Sequence, residues 1–322
     1  MANAEADLLI VGGGVAGISA AYFASLAGRR TTLIDSGEHS ASQVPTALVN
    51  PVRGYQGKLI DRGLEGARFT FDLIAGLCAS GHAIPHGRGL WRPAPDVTVR
   101  DLWRTALAGL VPHQWHDEAP RGLGLAGEWT GALFLPESGW VESRRLLAAM
   151  LAEAVANGRC TSIRDLVIAI DVPRRTVTLR DGGTIKANDL LWCGGAWGAW
   201  QLGYPASFRP GSLIVTDTRL GDTAISYGLY AAPHRGGSVV GPTTEPITKI
   251  FDHGPSPAAW LSRTSDRATQ MFGRELACQG VWHGVRLEQV LLPCDLPHLS
   301  GFGSRGYLLA PLVASEWVQE RL

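Results

Sequence analysis

The stretch DLLIVGGGVAGISAAYFASLAGRRTTLIDSG, residues 7–37, confines this chain to a narrow set of folds. Leu8–Val11 and Thr31–Ile34 are short, continuously apolar runs of the kind that lie buried in a parallel sheet. Between them Ile18–Ala27 is alanine-rich and helical, and Gly28 is placed to cap that helix. Gly12, Gly14 and Gly17 fit the spacing G-x-G-x-x-G. In that pattern the first glycine permits a tight turn, the second admits a pyrophosphate to the backbone, and the third lets helix and strand pack closely. The helix start, with Val15 and Ala16, offers free N–H groups and a positive dipole end to phosphate. Asp35 ends the second strand, where a carboxylate accepts hydrogen bonds from a ribose 2′-OH, and Ser36 follows it. Together these features predict a dinucleotide cradle, without separating NAD from FAD.

Other readings of the same letters fail. Leu8–Gly28 is uncharged and long enough to span a bilayer, but Glu5 and Asp7 precede it where a signal peptide carries positive charge. Its glycines also cluster instead of spreading along a span, so no membrane segment is expected. The 29 basic residues balance 29 acidic ones, which excludes a global field that recruits DNA or anionic membrane. The five cysteines, Cys78, Cys160, Cys193, Cys278 and Cys294, are odd in number and form no Cys-x-x-Cys pair. They read as reduced thiols of a cytoplasmic protein.

Further along, WVESRRLLAAMLAEAVANG has helical periodicity and stops at Asn157-Gly158. DLVIAI and TVTLRDGGTIKA read as strands, the latter a hairpin hinged at Asp181-Gly182-Gly183, and DLLWCGGAWG as a strand running into glycines. FRPGSLIVTD and GSVVGPTTE read as strands, and Pro257–Cys278 as a helix crossing their sheet. Near the end, GFGSRGYLLAP concentrates three glycines before an apolar run.

These pieces resemble the FAD-dependent D-amino-acid oxidase superfamily, its glycine- and sarcosine-oxidase branch above all. The resemblance is carried by VGGGVAG, LLWCGGAWG, LYAAPHRGGSVVGPTTEP at 229–246, WHGVR at 282–286 and GFGSRGYLLAP at 301–311. Within that branch, SQVPTALVNP at 42–51 and GSRG at 303–306 are most similar to the oxidoreductase half of the bifunctional bacterial enzymes that modify the tRNA wobble uridine. The resemblance implies an α/β fold: a GxGxxG-type, Rossmann-like FAD domain built from 1–80, 140–200 and 276–322, with an α+β substrate domain from 81–139 and 201–275. It implies noncovalent FAD, with Cys294 in no recognisable attachment context. It also implies cofactor contacts from Thr46, Ala47, Leu48, Leu166, Gly194, Gly195 and Trp197. Gly303, Ser304, Arg305, Gly306 and Tyr307 would form the loop and helix start that abut the flavin ring, where N–H groups stabilise the reduced form. Pro311 is tolerable on the expectation that it falls in the first helical turn.

On the substrate side, Arg286 matches the arginine that grips a substrate carboxylate, which a guanidinium fork suits bidentately. Tyr230 matches a tyrosine whose hydroxyl contacts substrate, with Tyr227 as the rival. His283 reads as a structural histidine, because amine oxidation by hydride transfer requires no protein base. His82/His86 and His113/His116 are spaced like metal ligands, but nothing completes either pair and no metal is expected. The chain departs from the family after Arg286, where LEQVLLPCDLPHLSGFG is shorter than the usual connection. Three functions stay open: oxidation of a small amino acid or N-substituted glycine with O2 or another acceptor, removal of a carboxymethyl group from tRNA uridine, and FAD binding without turnover. The neutral charge disfavours the tRNA reading.

Overall fold

The structure, a computed structural model, describes residues 6–243, 251 and 258–322. Strand Ala6–Val11 is its centre, and the side-chain alternation of that strand divides the first layer. Leu8 and Ile10 face a core shared with four helices, Val15–Leu26, Gly63–Ala79, Ser143–Ala156 and Gly306–Gln319. Leu9 and Val11 face a second core on the opposite side of the sheet. Burial on both faces explains why the run shows no polar alternation.

The six-stranded sheet runs in the order Val167–Asp171, Thr176–Leu179, Thr184–Trp192, Ala6–Val11, Thr31–Asp35, Cys160–Arg164. Its last four strands are mutually parallel, and the first three form an antiparallel meander. The uncharged run Leu8–Gly28 is thus shared between a buried strand and a 12-residue helix. Among the described residues no helix is long and apolar enough to cross a membrane. The hairpin at Asp181-Gly182-Gly183 is present, but TIKA and DLLW form one continuous strand rather than two. Helix Ser143–Ala156 begins later than the periodicity indicated, because Trp140–Glu142 complete strand Ala132–Glu142.

The nine-stranded sheet is mostly antiparallel and includes His86–Pro93, Ala132–Glu142, Ala206–Thr216 and Leu229–His234. Two strands drawn from the segments expected in the cofactor unit pair into it: Thr46–Val49, against Ala132–Glu142, and Cys278–Val290, against Ala206–Thr216. The helix expected over 257–278 is Ala258–Phe272; Pro257, and Thr244, Glu245 and Pro246 of the quoted motif, lie outside the described residues. The shortened connection after Val290 returns to the smaller sheet as a single bridge, Trp192 to His298.

Pro311 departs from its expectation. It is the sixth residue of helix Gly306–Gln319, past the first turn, so the Tyr307 carbonyl loses its helical donor. The buried Thr70 hydroxyl replaces it, donating to that carbonyl at 3.0 Å. Thr70 can reach because its helix, Gly63–Ala79, packs closely on the last one, where a side chain at Gly66 would collide with the Leu308 carbonyl at 2.2 Å. Thr70→Val keeps the shape and removes the donor, so it should destabilise the fold by about 1–3 kcal/mol. A thermal melt reads this as a lowered midpoint; an unchanged midpoint would mean that the Tyr307 carbonyl finds another donor.

Candidate functional site

At the carboxyl end of Ala6–Val11 the chain turns sharply into helix Val15–Leu26. Gly12 has φ +107°, and a side chain there would strike the Cys193 carbonyl at 2.4 Å. Gly17 has a related reason to be glycine, since a Cβ would lie 1.9 Å from the Gly12 carbonyl. Gly14 differs from both. Its backbone, at φ −76° and ψ −176°, suits any residue, and an added Cβ would meet only the Ser42 hydroxyl, at 3.1 Å. The fold leaves this space open, as a pyrophosphate requires.

Around the open space lie Gly12, Val15, Ala16 and Asp35 from the first unit, with Gly194, Gly195 and Trp197 from the strand-to-helix turn after Trp192. Asp35 accepts the Gly13 N–H at 2.8 Å and the Gly37 N–H at 3.0 Å, and each oxygen keeps acceptor capacity. Two buried polar atoms on this lining, Trp197 Nε1 and Ser300 Oγ, have no hydrogen-bond partner among the described residues. Buried polar groups are normally satisfied, so both fit a cleft completed by a polar ligand. Cys193 also borders the cleft, and burial pushes its thiol up to about 12, so it puts no negative charge beside a phosphate. These residues fit the ADP portion of FAD.

A second cavity continues from the first, sharing Val15, Ser42, Arg286, Gly303 and Gly306 as walls. Strand alternation builds one wall: Val285 and Leu287 pack into the core, which turns Trp282, Gly284 and Arg286 toward the cavity. The facing strand adds Gly211 and Leu213. Arg286 is half-buried, and desolvation depresses its guanidinium below the ordinary arginine range, with Glu288 opposing. Glu288 is already engaged by Arg209 at 3.0 Å, and among the described residues Arg286 forms no ion pair.

Tyr230 lines this cavity, whereas Tyr227 packs its ring against Trp103 and Trp129 elsewhere. The Tyr230 hydroxyl donates to the Thr46 carbonyl at 3.0 Å, and burial raises its pKa. Ala47, Leu48, Ser304, Arg305 and Tyr307 complete the lining from the expected set. Four expected residues lie outside both cavities. Gly17 serves packing, and Ser36 accepts the Glu38 N–H at 3.2 Å. Thr46 is buried with its hydroxyl on the Pro233 carbonyl at 3.0 Å, and the Leu166 N–H bonds Asp165.

Sequence reading missed Ser42 and Arg53. Ser42 Oγ accepts the Val15 N–H at 3.0 Å, and its carbonyl accepts the Tyr307 hydroxyl, so it ties the first helix to the last. His283 stays outside the cavity, its Nδ1 2.9 Å from Ser212 Oγ. His82 meets Glu153 at 2.8 Å, and His86 and His113 bond backbone carbonyls at 2.7 and 2.9 Å. Among the described residues no group of three or more His, Cys, Asp or Glu side chains converges as metal ligands would. All five cysteines are free thiols, and the exposed Cys294 borders neither cavity.

Residues 7–320 match the family model described as DAO, FAD dependent oxidoreductase. The chain belongs to this FAD-dependent oxidoreductase family. A curated relative, the tRNA 5-methylaminomethyl-2-thiouridine biosynthesis bifunctional protein MnmC of Caulobacter vibrioides, is 29% identical across 100% of this chain. The chain spans only 55% of that relative's length. Among solved structures, the glycine oxidase of Geobacillus kaustophilus superposes with a TM-score of 0.81 at 22% identity, covering 98% of this chain and 95% of that one. The iminodiacetate oxidase of Chelativorans sp. BNC1 gives 0.83 at 21% identity, covering 97% and 95%.

Two outcomes follow for the cofactor. The protein purifies yellow, and acid precipitation releases FAD into the supernatant; colour left in the pellet would reveal a covalent bond. Gly14→Val, whose backbone angles suit a side chain and whose near neighbour, the Ser42 hydroxyl at 3.1 Å, has to shift only slightly, folds but loses FAD because the side chain occupies the pyrophosphate's place. A folded variant that retains FAD at parental affinity would displace the cradle from Gly14.

Proposed function

We propose that this chain oxidises the C–N bond of a small amino acid or N-substituted glycine. The observation that carries the reading is Arg286, half-buried, without an ion pair among the described residues, at the junction of the cofactor cleft and a largely apolar cavity. Bound FAD supplies the acceptor for a hydride from the carbon next to nitrogen. Arg286 binds the substrate carboxylate through its fork, and the surrounding low polarity strengthens that contact. With the substrate anchored at its acid end, the amine and its neighbouring carbon face the loop Gly303–Gly306.

The Tyr230 hydroxyl donates its hydrogen bond to the Thr46 carbonyl, which leaves the oxygen lone pairs to accept an N–H of the substrate. Ala47, Leu48 and Leu213 exclude water and favour the neutral amine, whose lone pair drives the transfer. No carboxylate or imidazole lines the cavity among the described residues, which suits a route that needs no protein base. The structural neighbours named for glycine and iminodiacetate oxidation support this substrate class.

The likeness to the tRNA-modifying relative supports a second reading, in which the glycine-like end of a modified uridine enters the same cavity. Against it stands the balance of 29 basic and 29 acidic residues, with no arginine stripe. Anaerobic addition of free N-methylglycine or glycine should bleach the flavin band. Arg286→Lys should retain FAD while kcat/KM falls roughly thirty-fold or more, since losing a charged, hydrogen-bonded contact costs about 2–5 kcal/mol. Unchanged kinetics would remove Arg286 from the site. RNA binding that weakens by orders of magnitude between about 50 and 200 mM salt, with bleaching only by carboxymethylaminomethyl tRNA, would establish the second reading instead.

A further inference from the structure

The substrate cavity carries more positive charge than one carboxylate neutralises. Besides Arg286 it is lined by Arg53 and Arg305, and among the described residues by no acid. Arg305 is committed to its own loop, donating to the Phe302 carbonyl at 3.2 Å and reaching the Gly301 carbonyl at 3.5 Å. Among the described residues Arg53 has no such engagement. It is exposed at the cavity mouth, forms no ion pair among the described residues, and lies near enough to Arg286 for the two charges to repel.

Arg53 is also held in place at a cost. It sits on the short hairpin Val52–Arg53/Lys58–Leu59. Arg92, only 3% exposed, donates to the carbonyls on either side of it, Val52 at 3.0 Å and Gly54 at 2.6 Å. Trp103, fully buried, donates to the Tyr55 carbonyl at 2.7 Å and lies under the Arg92 guanidinium at 4.6 Å. Among the described residues Arg92 has no counterion, and burying a charge that way is unfavourable. A hairpin with no task would not need it. Fixing the turn spares Arg53 part of the ordering entropy of gripping a ligand.

Resting on the reading of Arg286 as a carboxylate anchor, we propose that Arg53 forms a second anion subsite, so that the chain prefers amines bearing two acidic groups to their single-acid counterparts. The first acid pairs with Arg286 and the second, across the nitrogen, with Arg53. Arg92 and Trp103 act as positioning residues.

The test uses the FAD-loaded protein. Perturbation of flavin absorbance measures the affinities of two non-oxidisable probes, glutarate and acetate, and steady-state kinetics compare N-carboxymethylglycine with N-methylglycine. The parent should favour the diacid in both comparisons. Arg53→Gln should lower the diacid-to-monoacid ratio at least about threefold, and Arg53→Lys should restore most of it. Arg92→Met should lower the ratio likewise; if that variant fails to fold, the exposed Arg53 substitutions carry the test. A ratio unchanged in Arg53→Gln overturns the subsite, and oxidation of both amines in that case leaves the Arg286 reading standing. Tighter glutarate binding that depends on Arg53, with no amine oxidised, keeps the subsite and removes the amine reading. Loss of tRNA binding in Arg53→Gln with the ratio unchanged would assign the charge to an RNA phosphate and overturn the proposal.

Discussion

Much of this molecule depends on the approach of Gly17 to the Gly12 carbonyl, a contact that leaves no room for a methyl group. It fixes the height of the first helix over the strand ends. It also places the Val15 N–H where Ser42 caps it, and Ser42 in turn accepts the Tyr307 hydroxyl at the start of the last helix. Gly306 brings that helix start against Val15, so two positive dipole ends face one space. A cleft suited to an anion thereby arises in a chain whose formal net charge is zero.

The larger sheet supplies the opposite wall by a different device. Cys278–Val290 is long enough to contribute Val285 and Leu287 to the core while displaying Arg286 on its other face. Its neighbour Ala206–Thr216 keeps Gly211 opposite Gly284, and the Trp282 ring and the Thr243 carbonyl take the places that side chains there would fill. Tyr230 then closes the side, locked through the Thr46 carbonyl. The cavity around Arg286 is thus walled mainly by strands, and the cleft beside Gly12–Gly14 by turns and helix starts.

The parts legible in the sequence were those with local causes. The run Leu8–Asp35 states its fold because the turn, helix and strand demand particular residues at short range. The likeness of WHGVR and GFGSRG to family motifs points to Arg286 and the Gly303–Gly306 loop, which line one cavity. What stayed hidden depends on partners far along the chain. Whether Thr46–Val49 joins one sheet or the other is decided by Ala132–Glu142, and four residues carry no mark of that choice. Pro311 was assigned a harmless place, whereas its missing donor is replaced by Thr70, distant in sequence. Arg53 gave no signal, because its position is set by Arg92 and Trp103, both distant from it in sequence.

The tie between Ser42 and Tyr307 has a consequence for synthesis. The cradle's glycines leave the ribosome long before the wall that faces them, which comes from Gly303–Gly306. Helix Val15–Leu26 finds part of its packing only on Gly306–Gln319, and strand Ala6–Val11 awaits its sheet neighbour Thr184–Trp192. Contacts of such sequence separation form late, since closing the intervening loop is entropically unfavourable until the packing is available. A nascent chain therefore carries a complete phosphate-binding motif without a complete site, and capture of the flavin follows translation of residue 319.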